Sequence, residues 1–171
     1  MKQEPSMVEV YLGLGSNLGD REQNVARAID LLSQRVKIEE TSSLYVTEPV
    51  DHGDQPLFLN VVCRIETSLF PEDLLGLAKR IEAAMGRKPS FVNGPRPIDI
   101  DILFYGDRVV NIPRLVIPHP RVQERAFVLV PLAEIAPTLV HPVSGQTVAQ
   151  MVGRLKSLKG VRRWSQEAWN V

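Results

Sequence analysis

Residues 94–106 read GPRPIDIDILFYG, and the alternation inside this stretch constrains the fold more than any other feature of the chain. Isoleucines alternate with Asp99 and Asp101 at a period of two, the pattern of a strand with one apolar and one polar face. That period predicts Ile98, Ile100, Ile102 and Phe104 on the core face and the two aspartates together on the other. At about 3.3 Å rise per residue the aspartate Cα atoms lie about 6.6 Å apart. Two carboxylates so close oppose each other's ionisation unless a cation lies between them. Mg²⁺ meets that need, because it takes one or two carboxylates together with water and phosphate oxygens. A solvated sheet face that merely carries two acids accounts for the pattern equally well at this point.

The elements before this strand follow a recognisable order. Val8–Leu14 reads as a strand closed by Gly15, Ser16 and Asn17, and from Asp20 the spacing of Val25, Ala28, Ile29 and Leu32 predicts an amphipathic helix. Residues 36–46 are rich in strand-forming types, 47–56 (TEPVDHGDQP) form a polar connection, and Phe58–Ile65 reads as a strand. Pro71 opens a second helix with a stripe at Leu74, Leu75, Ala78, Ile81 and Met85, ended by Gly86. The order β-α-β-β-α-β predicts an α+β protein with a ferredoxin-like core. Further on, the sequence predicts a short strand at Val109–Val110, helices over Ala126–Ile135 and Thr147–Leu155, and an edge strand at Val161–Trp164. The expectation is one domain over 1–171, with a flexible start at 1–7 and residues 141–171 as an extension of the same domain. No role for 141–171 is legible, and Trp164 and Trp169 suit packing and contact equally.

Charge narrows the function classes. Twenty Lys and Arg balance twenty Asp and Glu, so the basic footprint of a general nucleic-acid binder is missing. One cysteine, Cys63, excludes an internal disulfide, and the N-terminal MKQEPSM lacks the apolar stretch of a secretory signal. No apolar run has the length of a membrane span. The expectation is a soluble, cytoplasmic monomer that binds neither nucleic acid nor membrane.

Basic residues gather around the paired acids in sequence: Arg87 and Lys88, then Arg96, then Arg114, His119, Arg121 and Arg125. Carboxylates for a metal and arginines for phosphate oxygens make a coherent pair of demands. His119 stands between Pro118 and Pro120, which restrain its backbone and favour a phosphate contact over simple turn packing. The stretch GLGSNLG, 13–19, is one residue too long for a dinucleotide-binding fingerprint and reads as a tight strand-to-helix turn capped by Asn17 or Asp20. There is no GxxxxGK[ST] phosphate loop and no zinc-ligand spacing.

GSNLGD at 15–20, NGPRPIDIDIL at 93–103 and PHPRVQERAFVLVPL at 118–132 together resemble the 6-hydroxymethyl-7,8-dihydropterin pyrophosphokinase family, over roughly residues 8–140 and in the family's order. The resemblance implies an α/β/α sandwich with a mainly antiparallel central sheet. It implies transfer of pyrophosphate from ATP to the hydroxymethyl group of the pterin, in folate biosynthesis, with two Mg²⁺ ions held by Asp99 and Asp101. Arg87 and Arg96 then match catalytic positions alongside the two acids. Glu82, Arg87, Arg96, Ile102, Arg114, His119 and Arg125 match the ATP site. Thr47, Val50, Phe58, Asn60 and Phe127 match the pterin site, the two phenylalanines sandwiching the ring. From the residues alone both phenylalanines suit core packing, whereas Asn60 inside the apolar run FLNVV already stands out as a costly buried amide.

The chain departs from the family pattern at Asn93, where some members carry tryptophan, at Glu48 and Val50, where proline and leucine are common, and at Phe58 in place of a tyrosine. Residues 47–56 and 87–95 are predicted to be mobile loops that close over substrates. Two other readings fit the same topology: a non-enzymatic RNA- or ligand-binding module, and a different two-metal enzyme such as a nucleotidyl transferase. The former needs exposed strand aromatics and basic charge, and VYLGLGS and FLNVVCRI show neither well.

Overall fold

The computed structural model describes residues 6–48, 56–87, 95–158 and 160–164. In chain order the elements are β1 (Val8–Ser16), α1 (Arg21–Ser33), β2 (Lys37–Thr41), β3 (Tyr45–Thr47), β4 (Phe58–Thr67), α2 (Pro71–Ala84), β5 (Asp99–Tyr105), β6 (Val110–Ile112), β7 (Leu115–Ile117), a 3-10 turn over Val122–Glu124, α3 (Ala126–Ile135), α4 (Val148–Gly153) and β8 (Val161–Arg163). The main sheet runs β5-β1-β4-β3-β8, every neighbour antiparallel, with β2 joining β4 beside β3. β6 and β7 form a separate hairpin.

The β-rich segment 36–46 is thus two strands along one partner. At the break, the Val62 amide donates to Ser42 Oγ at 2.9 Å and the Ser42 amide donates to the Val62 carbonyl at 2.8 Å. The chain can change course there without leaving a buried backbone group unpaired.

Helix α1 begins where Asp20 accepts from the Gln23 amide at 3.1 Å, so Asp20, not Asn17, is the cap. Its buried stripe is Val25, Ala28 and Leu32. In α2, Pro71 sits in the first turn and Glu72 and Asp73 complement the helix dipole. Leu74, Leu77, Ala78 and Ile81 are buried, whereas Leu75 faces the helix flank. Gly86, at φ 89°, ends the turn in the left-handed region that disfavours other residues.

Both sheet faces are covered. Val10, Leu12 and Leu14 of β1, Val61, Cys63 and Ile65 of β4, Ile98 just before β5, and Ile100 and Ile102 of β5 pack against α1 and α2. On the opposite face, Tyr11, Val62, Leu103 and Phe104 pack against Val128, Leu129 and Leu132 of α3 and Val148 and Met151 of α4. This is the α/β/α sandwich expected. Each fully buried leucine contributes about 1.5–3 kcal/mol over exposure.

Phe104 lies on the α3 side, contrary to strict alternation. Tyr11 pairs with Phe104 and Leu12 with Ile102, so Leu103 is an extra residue in a bulge and shifts the strand by one. Asp99 and Asp101 precede the bulge and keep the predicted face. Toward the beginning of β5, that face is left open by α3, which starts only at Ala126.

Candidate active site

Cross-strand register builds the floor of the opening. Asp99 pairs with Gly15, which pairs with Asn60; one step along, Asp101 pairs with Gly13 and Gly13 with Val62. The two glycines of GLGS therefore separate the acids from the amide without placing a side chain between them. A Cβ on Gly15 would collide with Asn60 Oδ1 and touch the Phe58 ring at 3.5 Å. Glycine at 15 keeps the floor bare.

One cavity joins two kinds of chemistry. It is lined by Thr47, Glu48, Phe58, Asn60 and Phe127, and by Arg96, Asp99 and Arg125. In the first group the Asn60 amide donates to Thr47 Oγ1, and Thr47 is buried. A second hollow runs along the floor past Gly13 and Gly15 to Asp101, still bordered by Phe127. The expected pterin residues Thr47, Phe58, Asn60 and Phe127 are thus brought together, while Val50 lies outside the described residues.

The charged half is crowded. Arg87 Nη1 donates to Asp99 Oδ1 at 2.7 Å and to Glu82 Oε2 at 2.8 Å, and Glu82 Oε2 also accepts from the Ile100 amide at 2.8 Å. Glu82 is 3% exposed and fastens α2 to the start of β5. Burial opposes the charge on Arg87, yet Asp99 and Glu82 outweigh it and raise the guanidinium above its ordinary pKa. Arg96 lies over the Phe58 ring at 5.3 Å, and its Nε, 3.8 Å from Asp99 Oδ2, makes no hydrogen bond. Arg125 stacks over Phe127 at 5.4 Å with its Nε also buried and unbonded. Burial, with Arg121 beside it, lowers the Arg125 pKa.

Asp101 is pushed up to about 7, first by burial and then by Asp99. His119, whose amide donates to the Leu103 carbonyl at 3.0 Å, is pushed down to about 4 by burial and by Arg125. Such a set is poised for ligands of both signs. Among the described residues no group of three or more His, Cys, Asp and Glu side chains is arranged for a metal ion. The donor set is two carboxylates, which suits a cation that completes its shell with water and phosphate oxygens. A hard divalent ion beside Asp101 also replaces the proton that burial now favours, so the acid pair fits Mg²⁺.

Two expected nucleotide residues sit elsewhere. Ile102 is 5% exposed and packs in the core shared with α2. Arg114 pairs with Glu72 at 3.0 Å beside a separate groove lined by Leu75, Gly76, Lys79 and Ile112. That groove borders the α2 face that also carries Glu82.

Asn17 had no functional reading in the sequence beyond a possible cap. It is fully buried; its Oδ1 accepts from the Arg96 amide at 2.8 Å, its own amide donates to the Arg96 carbonyl at 3.2 Å, and its Nδ2 reaches the Pro56 carbonyl at 3.5 Å. Arg21 adds a bond to the Leu57 carbonyl at 2.9 Å. The β1–α1 turn thereby clamps the backbone of Arg96 to the approach of β4. A buried asparagine in a turn whose cap is already supplied by Asp20 is the signal for such a role. Of the predicted mobile loops, residues 49–55 and 88–94, including Asn93, lie outside the described residues, as does Trp169.

Comparison with known proteins decides the family. The model of 7,8-dihydro-6-hydroxymethylpterin-pyrophosphokinase (HPPK) matches residues 11–137. The chain belongs to the HPPK family. It is 44% identical over 137 residues to the 2-amino-4-hydroxy-6-hydroxymethyldihydropteridine pyrophosphokinase of Aquifex aeolicus, covering 80% of this chain and 86% of that one. It is 46% identical over 151 residues to the protein of the same name from Methylorubrum extorquens, covering 87% and 94%. The folic acid synthesis protein fol1 of Pneumocystis carinii is 49% identical over 141 residues, 82% of this chain, and this chain spans 19% of its length. A crystal structure of Plasmodium falciparum HPPK-DHPS shares the fold with a TM-score of 0.74 at 20% identity, over 89% of this chain and 45% of that one. The matched span includes the end of β1, β5 and α3, which carry residues of the three resembling motifs and border the cavity.

Proposed function

We propose that this chain transfers the β,γ-diphosphoryl group of ATP to the hydroxymethyl oxygen of 6-hydroxymethyl-7,8-dihydropterin, releasing AMP, as a step of folate biosynthesis. The observation that carries this reading is the cavity in which an aromatic, amide-lined slot meets Asp99 and two half-buried arginines, with Asp101 in the adjoining hollow. A flat polar heterocycle suits the slot: Phe58 and Phe127 offer faces, and Thr47 and Asn60 offer edge hydrogen bonds. Arg96 and Asp99 line the same cavity, so a hydroxymethyl arm on the ring lies next to the phosphate-binding half.

In the reaction, the hydroxymethyl oxygen attacks the β-phosphorus, the bond to the α,β-bridging oxygen breaks, and the hydroxyl proton is released. Charge grows on the bridging oxygen and on the non-bridging oxygens of the β-phosphate. Arg87, hydrogen-bonded to Asp99, is a pre-set donor for those oxygens, and Arg96 and Arg125 each present an unbonded Nε. Two Mg²⁺ ions held by Asp99 and Asp101 would neutralise phosphate charge and lower the pKa of the attacking hydroxyl. His119, neutral at physiological pH, donates or accepts a hydrogen bond without adding charge. Arg114 and its groove along α2 take the adenosine end of ATP. Glu82 serves by holding Arg87 and the Ile100 amide, and Ile102 by filling the core beneath.

The same reading makes the protein a cytoplasmic monomer. Its one cysteine, Cys63, is free and buried, which suits a reducing compartment.

The test is product analysis with ATP, Mg²⁺ and the reduced hydroxymethyl pterin. AMP formed only with pterin, and lost in Asp101→Ala, is the expected result. ADP or free phosphate instead would favour another metal-dependent transferase, and no turnover from folded protein would favour a binding module.

A further inference from the structure

Strand β8 lies beyond the residues that the family model matches, yet it is built into the wall of the ring slot. Thr47 pairs with Val161, Val46 with Arg162 and Tyr45 with Arg163. The pairing is closed at both ends: the Trp164 amide donates to the Leu44 carbonyl at 2.8 Å, and the Glu48 amide donates to the Gly160 carbonyl at 3.1 Å. A three-residue strand such as β3 would be a soft edge without this partner.

Side chains reinforce the joint. Glu134 of α3 accepts from the Tyr45 hydroxyl at 2.7 Å and the Ser43 amide at 2.7 Å, and lies 3.2 Å from Arg163 Nη2. Burial works against the Glu134 charge, but those hydrogen bonds and Arg163 outweigh it and hold the carboxyl below its ordinary pKa. Gly160 sits at φ 85°, and a Cβ there would meet the Glu48 side chain at 3.0–3.2 Å. Glycine at 160 therefore lets Glu48 lie against the strand at the rim of the cavity it lines.

We propose that the Gly160–Trp164 segment is a positioning element of the ring site: it fixes Thr47 and Glu48 and thereby sets affinity for the heterocyclic substrate rather than for the nucleotide. The selectivity follows from topology. β8 occupies one edge of the sheet, and β5, with Asp99 and Asp101, occupies the other. Distortion at β8 reaches Thr47 directly through one strand pair, while three further strand pairs separate β3 from β5. The proposal rests on the pterin reading of the slot.

Two variants test it. Gly160→Val forces a side chain into a left-handed backbone position and against Glu48, and Trp164→Pro removes the donor to Leu44. Calorimetry would measure binding of 6-hydroxymethyl-7,8-dihydropterin to the protein saturated with a non-hydrolysable α,β-methylene ATP analogue and Mg²⁺, and binding of that analogue by itself. For Gly160→Val we expect the pterin Kd to rise about tenfold, from strain of the kind such backbone positions carry. Trp164→Pro should shift it in the same direction by less, and the analogue Kd should stay within about twofold of wild type in both. An unchanged pterin Kd in both folded variants overturns the proposal, as does an equal loss of both ligands. Should Gly160→Val fail to fold, Trp164→Pro alone decides between these outcomes. Wild type that binds the analogue but no pterin would sink the reading of the slot itself, a result distinguishable from either variant's behaviour.

Discussion

The two halves of the cavity are built on opposite principles. In the ring slot the polar groups satisfy each other: Asn60 donates to Thr47, Thr47 is buried, and β4 and β8 both flank the strand that carries it. In the charged half they do so only in part, around Arg87, Glu82 and Asp99. Asp101 is pushed up to about 7, His119 down to about 4, and the Nε atoms of Arg96 and Arg125 are buried without hydrogen bonds. A slot for a neutral ring can be complete before its ligand arrives. A site for a highly charged ligand must hold charges whose counterparts come with that ligand, and its folded protein bears the electrostatic strain meanwhile.

The sharpest way to break this contrast is to remove one acid. Asp101→Ala should lower kcat by about three orders of magnitude, the scale on which charge stabilisation acts in a transition state. Steady-state kinetics checks this, and thermal unfolding in metal-free buffer should show a variant no less stable than wild type. A drop in both activity and stability would mean that Asp101 is a structural acid. In the slot the balance reverses. Asn60→Ala leaves the Thr47 side of the cavity without its partner, and a lost buried hydrogen bond of about 1–3 kcal/mol predicts a pterin KM about 10- to 100-fold higher. Its kcat at saturating pterin should change far less.

Asn17 sits at the seam, and its replacement should damage both halves together. Asn17→Ala deprives the Arg96 amide of its acceptor and the Pro56 carbonyl of its donor. We expect kcat/KM to fall about tenfold for each substrate, again from a lost buried bond. An effect confined to one substrate would show that the clamp holds only one side.

The pH dependence of stability sharpens the comparison further, because the strongly displaced groups Asp101 and His119 both lie in the charged half. Between about pH 4 and 7 the folded protein keeps a proton on Asp101 that the unfolded chain has released, so this group weakens folding as pH rises through that window. His119 acts in the opposite sense. Between about pH 6.5 and 4 the unfolded chain takes up a proton that folded His119 refuses, which weakens folding as pH falls. The two contributions oppose one another where the windows overlap. Urea titrations in metal-free buffer should therefore give His119→Gln a stability that falls from pH 4 to 7, and Asp101→Asn one that rises from pH 4 to 6.5. Identical slopes in the two variants would remove the electrostatic account of the charged half.

Much of this arrangement was legible in the sequence because it is written in periodicity. The β-α-β-β-α-β order, the two helix stripes and the shared face of Asp99 and Asp101 all follow from periods of two and 3.6. Phe104 escaped because a bulge at Leu103 inserts one residue, and no pattern of side chains announces where a strand will slip by one against its neighbour. The edge strand at Val161–Trp164 was expected, but the contacts of Asn17 and the pairing of β8 escaped for a related reason. Their partners, Arg96, Pro56, Thr47 and Glu48, lie far away along the chain, and backbone hydrogen bonds carry no residue signature. The slot residues were found through resemblance, since by pattern alone Phe58 and Phe127 are core.

Arg114 gives the smallest expected effect and draws the outer boundary of the charged half. Its side chain is 76% exposed and its partner Glu72 is 61% exposed, unlike Arg96 at 18%. An exposed pair contributes about 0–1 kcal/mol, so Arg114→Ala should leave thermal stability nearly unchanged. If the groove beside it takes the adenosine end of ATP, KM for ATP should rise about two- to fivefold and become less sensitive to salt, because a screened surface charge has been removed. The pterin KM should not move. A loss as large as that of Asp101→Ala would mean that the buried and exposed arginines form one functional unit, and that burial is not what divides the residues that carry the chemistry from those that merely attract the nucleotide.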